Sequence, residues 1–129
     1  MENAERLRGG RNLLLKLHKN LVDHERAIWE GINGPATPGQ FLNVLLEDPD
    51  FSWLRKFSTL IVDIDEMFAQ KDGISAEAVN LHLRKLRDLI SMKVEDADFK
   101  AKYQAALQQD LDAASRQGDL KLLLDKFRV

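Results

Sequence analysis

His24, Glu25, Ser58 and Asp65 are the residues of this chain whose types and spacing suit chemistry. His24 continues an apolar stripe of Leu14, Leu17, Leu21 and Ile28 at spacings of three and four, which sets an imidazole on the inward face of a helix. A buried imidazole is neutral and needs a hydrogen-bond partner, because an unpaired polar group in an apolar setting costs about 1–3 kcal/mol. Asp65 lies four residues after Ile61 and three before Phe68, so it borders the inward face of a second helix, with Ser58 on the same side. Where those two helices are neighbours, His24, Glu25, Ser58 and Asp65 form a ligand-binding group inside a bundle. The plainer reading is a core histidine bonded to a carbonyl, a hydroxyl or Asp65, locking two helices together.

A histidine among carboxylates is also the donor set of metal sites in helical bundles. The spacing argues against one. Di-iron bundles use Glu-x-x-His on two helices, and this chain contains no such pair; His18, His24 and His82 share no three- or four-residue spacing. No metal and no cofactor is therefore expected. The absence of cysteine excludes disulfides and thiolate nucleophiles. There is no Gly-x-Ser-x-Gly elbow and no Gly-x-x-x-x-Gly-Lys phosphate loop. Asp63, Asp65 and Glu66 are too close in sequence to share a direction around a helix. No catalytic residue is expected.

His82-Leu83-Arg84-Lys85 resembles the His-x-x-Lys of histidine phosphotransfer domains, which are helical bundles of about this size. That resemblance implies a phosphoacceptor at His82 with basic neighbours stabilising the phosphoryl charge. Leu86 stands where the family has a small residue, and it would crowd an approaching partner. The plainer reading is a boundary histidine on a basic face with Arg84, Lys85 and Arg87. His24-Glu25-Arg26 is similar to the His-Glu-x-Arg of sensor-kinase dimerisation helices. Its arginine comes one place early, no Thr-Pro follows, and a phosphoacceptor must be exposed.

The elements that must position these residues read as helices throughout. A first helix spans about residues 11–30, after a Gly9-Gly10 pair that makes residues 1–10 an expected frayed lead-in. Residues 31–39 are rich in glycine and proline and form the clearest loop, flanked by Trp29. Thr37, Pro38 and Gln40 then make a capping box for a short helix over 38–46. Asp48-Pro49 opens a third helix to about residue 70, with Leu54, Phe57, Ile61, Ile64 and Phe68 inward and Gly73 as its stop. Ser75 caps a fourth to about residue 91, on which Val79, Leu83, Leu86 and Ile90 share a face. A fifth runs from about Asp96 to a stop at Gly118, and Asp119 caps a last short helix. No stretch alternates with period two, so no strand is expected. Short connections favour an all-α, up-and-down antiparallel bundle of four longer helices plus one or two short ones, a single domain over residues 1–129.

The run from Asp48 to Arg55, with Ser58, Leu60-Ile61-Val62 and Ile64-Asp65-Glu66, resembles a group of small uncharacterised bacterial all-helical proteins, as do Leu17-His18-Lys19, Asp23 and Glu25-Arg26. The resemblance implies a bacterial cytoplasmic protein and assigns no activity. Composition agrees with a globular domain: of 129 residues 44% are hydrophobic and 31% charged. Nineteen basic residues against 21 acidic leave a net charge of −2, too little positive field to favour nucleic acid. The charged start lacks the apolar stretch of a signal peptide, and no apolar run approaches the ~20 residues that span a bilayer. The expectation is a non-enzymatic protein-interaction or regulatory module of the cytoplasm. It is expected to associate with a protein partner or with itself as a homodimer, through an apolar patch near Leu122, Leu123 or Phe127.

Overall fold

The computed structural model describes residues 2–127, and every regular element among them is helical. The α-helices are α1 (Glu2–Asn33), α2 (Pro38–Glu47), α3 (Arg55–Phe68), α4 (Ala76–Ile90), α5 (Ala97–Gln109) and α6 (Leu111–Asp125); a 3-10 helix, Pro49–Leu54, precedes α3. Helix α1 is the axis, packing on α3, α4 and α6. It runs against α3, since Arg11 meets Asp65 while its far end lies beside the 3-10 helix. It runs along α4, Asn3 bonding Asn80 and Gly10 lying on Leu86. It runs against α6, Gly9 lying near Leu123 and His24 meeting Asp110.

Local signals explain most helix starts. Thr37 and Gln40 close the capping box on α2, and Ser75 and Asp96 accept from Ala78 and Phe99 N–H at the starts of α4 and α5. The core is aliphatic along α1 and aromatic at one end. There Trp53, Phe57, Phe99 and Tyr103 interlock, Phe57 meeting Tyr103 edge-on at 5.1 Å between ring centroids.

Four expectations are corrected. Residues 2–10 are helical rather than frayed: Ala4, Leu7 and Gly10 face the core, and that burial outweighs the glycine penalty. Pro49 opens a 3-10 turn, and α3 begins only at Arg55. The stretch 96–118 is two helices. Asp110 takes an extended backbone, ends α5 and caps α6 through Ala113 N–H, so Gly118 is interior to α6 and Asp119 caps nothing. Phe127, expected on an exposed patch, is 2% exposed beneath Arg87, while Leu122 is 68% exposed.

Candidate functional site

The four candidate residues do not converge. Asp65 is held side-on by Arg11, Nε to Oδ1 and Nη2 to Oδ2 both at 2.9 Å, and this pairing draws the carboxyl below its usual range. His24 lies about 20 Å further along α1. Ser58 only donates to the Arg55 carbonyl at 3.2 Å, within its own helix. The antiparallel register fixed by Arg11 and Asp65 sets His18, not His24, level with Ser58. Burial pushes the His18 imidazole below its ordinary value.

His24 faces a different helix pair. Its Nε2 is 3.2 Å from Gln109 Oε1 and its Nδ1 3.5 Å from an Asp110 carboxylate oxygen. The ring therefore spans the end of α5 and the cap of α6. It is mostly covered, with 14% of its side chain exposed, but it sits where the apolar stripe ends rather than inside it. Ile28, next on the same stripe, is 44% exposed. Helix lengths give the reason: α6 begins at Leu111, opposite His24, so the last turns of α1 overhang it.

That overhang builds one wall of a cleft of about 600 Å³. Ile28, Trp29 and Ile32 come from α1, Phe51 from the 3-10 helix, and Ala105, Ala106 and Gln109 from α5. The wall is braced. Arg26 Nε pairs with Glu30 at 2.8 Å, Arg26 Nη2 donates to the Ala36 carbonyl at 2.6 Å, and Ala36 N–H donates to Glu30 at 3.0 Å. The Ala36 N–H bond and Arg26 hold the Glu30 carboxyl below its usual range. Trp29 meets Phe41 edge-on at 5.8 Å, and Phe41 meets Phe51 at 5.9 Å, so α2 clasps both sides.

The cleft carries Glu25, Asp48 and Asp50 against a single cation, Lys102. Lys102 is already engaged, 3.2 Å from Asp98 and 3.0 Å from the Asp50 carbonyl. Asp48 is occupied in accepting from Asp50 N–H at 2.9 Å. Glu25 is half-buried and has no hydrogen bond or ion pair among the described residues. Burial pushes its carboxyl up, opposed by the positive fields of His24 and Lys102.

A second groove, of about 650 Å³, lies between α3, α4 and the segment leading to α5. Its cations Arg55, Lys56, Lys85 and Lys93 are matched by Asp63, Asp88, Asp96 and Asp98, and its apolar floor of Trp53, Leu60 and Leu89 is buried. It offers no dominant charge. His82 is half-buried, with Nδ1 2.7 Å from the Ala78 carbonyl; that bond makes Nδ1 the donor and leaves Nε2 as the lone-pair nitrogen of the neutral ring. No group of three or more His, Asp or Glu side chains among the described residues is placed to hold a metal ion.

Sequence reading pointed to His24 and Glu25 but missed Lys102, Gln109 and Asp110, whose only local signal was an acidic cap inside an apparently continuous helix. It also missed Ile32, which it assigned to a loop. No helix among the described residues is long and apolar enough to cross a membrane. No protein-family model, curated protein or solved structure matches this chain.

Proposed function

We propose that this chain is a non-enzymatic protein-interaction module, an up-and-down antiparallel bundle of the cytoplasm that docks a segment of another protein in the cleft at the end of α1. One observation carries the reading: Ile28 and Ile32, one turn apart, are 44% and 80% exposed on a helix end that overhangs its partner yet is braced in place. Exposed isoleucines beside a half-buried tryptophan lose stabilisation to water that a partner would restore, roughly 25 cal/mol per Å² covered. The antiparallel course of α1 against α3 and α6, and its parallel course along α4, support the bundle topology. The lack of cysteine suits a reducing compartment.

A second copy is a poorer occupant. A twofold contact through this face would set Glu25, Asp48 and Asp50 of one chain against the same carboxylates of the other.

The test is site-specific photo-crosslinking in cells of the source organism, with a photoreactive residue at position 32 or, as control, at the exposed Lys100. A discrete heterologous adduct from position 32 and none from Lys100 supports the reading. An adduct of twice the 14.7 kDa chain mass makes the partner a second copy. Equal or absent labelling at the two positions overturns docking at this face.

A further inference from the structure

Glu25 is the one charged group in the cleft that has neither a hydrogen bond nor an ion pair among the described residues. The loss of hydration at this half-buried carboxylate outweighs the positive fields of His24 and Lys102, so an opposite charge or hydrogen-bond donor brought into direct contact stabilises it. Lys102 does not supply it, since Asp98 and Asp50 hold its ammonium. His24 does not either, since its two ring nitrogens face Gln109 and Asp110. The cleft is therefore apolar on its walls and short of one cation beside them.

The shape selects the form in which that cation arrives. The walls are two helices, α1 and α5, closed at one end by the 3-10 helix, and Ile28 and Ile32 form an i, i+4 ridge along one of them. A third helix packs into such a groove by setting its own ridge beside this one. From these observations, and resting on the docking reading above, we infer that the occupant is an amphipathic helix of another protein that seats one lysine or arginine against Glu25, its apolar face covering Ile28, Trp29 and Ile32. The same face would repel an acidic helix through Asp48 and Asp50, so the cleft discriminates by charge as well as by shape.

The experiment is a selection from a displayed library of amphipathic helices, randomised along the apolar face and its borders, against the folded full-length chain. The expected winners carry Lys or Arg bordered by apolar residues and shift backbone amide resonances of residues 25–32 and 102–109. Glu25→Gln weakens these winners about tenfold. Helices remade with Gln at the basic position bind the wild type and Glu25→Gln equally. The variant melts no lower than the wild type, because it removes an unpaired charge; this separates loss of binding from loss of fold. Winners without a basic preference, or winners indifferent to Glu25→Gln, overturn the Glu25 anchor while leaving docking at position 32 intact. Failure to enrich any helix that binds this cleft overturns the helical occupant, and crosslinking from position 32 then decides separately whether the face docks a protein at all.

Discussion

His24 Nδ1 lies 3.5 Å from a carboxylate oxygen of Asp110, joining the last third of α1 to the single residue that separates α5 from α6. Asp110 also accepts from Ala113 N–H at 3.0 Å, so one side chain both starts α6 and receives α1. Asp110→Ala is expected to lower stability by about 1–2 kcal/mol in urea unfolding, the usual cost of a lost N-cap with a partner group left behind. Asp110→Asn keeps a capping oxygen and is expected to lose well under half of that, isolating the charge from the cap.

Adjacent glycines in α1 should respond with opposite signs. A Cβ on Gly9 would stand 3.8 Å from Leu123, an ordinary contact, whereas one on Gly10 would stand 2.7 Å from Leu86. Leu86 is fully buried, so its methyl has little room to retreat. Gly9→Ala is expected to stabilise by roughly 0.5–1 kcal/mol through helix propensity. Gly10→Ala gains the same propensity but overpacks the α1–α4 contact by about 1–3 kcal/mol, for a net loss. Parallel denaturant titrations of the two variants check the difference; equal stabilisation would mean α1 and α4 are not in close contact at Gly10.

The contrast between those glycines shows where sequence reading works and where it stops. The Gly9-Gly10 pair reads as a weak helix start because propensity is a local property, and the burial of Leu7 that overrides it depends on α4 and α6, far along the chain. Caps at Thr37 and Ser75 are local hydrogen bonds and were legible, as was a helix start near Asp96. The break at Asp110 was not, since an aspartate inside a helical rhythm reads equally well as a solvated face. The candidate site was half legible: His24 and Glu25 border the cleft, but which helix His24 meets depends on register. Arg11 captures Asp65 more than three turns away from His24. The exposure of Ile28 was invisible to periodicity, because it arises from α1 outlasting α6.

A buried polar relay ties three helices together. The Tyr103 hydroxyl donates to Gln117 Oε1, and Gln117 Nε2 donates to the Ile90 carbonyl at 2.6 Å, where α4 ends. Gln117→Leu strands both the hydroxyl and the carbonyl and is expected to cost about 2–4 kcal/mol, against about 1 kcal/mol for Tyr103→Phe, with a double-mutant coupling above 0.5 kcal/mol. Burial pushes the Tyr103 phenol well above its ordinary value of 10.0. Its contribution to stability is complete below pH 10 and is lost as pH rises toward the folded value. Tyr103 is the sole tyrosine, so absorbance of its phenolate should appear only with alkaline unfolding, in step with circular dichroism. Phenolate absorbance in a chain that is still helical would show that the ring is not buried.

On the acid side His18 sets the sign. Its imidazole is held below the ordinary 6.5 by burial, so the unfolded chain takes up its proton at a higher pH than the folded chain does. Stability linked to this group is therefore present above pH 6.5 and declines as pH falls from there toward the folded value. Glu25 acts oppositely. Its raised carboxyl makes protonation favour the folded state, so its contribution grows as pH drops through the carboxylate range. Urea unfolding of wild type and His18→Gln at pH 7 and pH 5.5 separates the two, because the variant retains Glu25. His18→Gln is expected to lose less stability over that interval than the wild type, and an identical loss would place the proton uptake on another group.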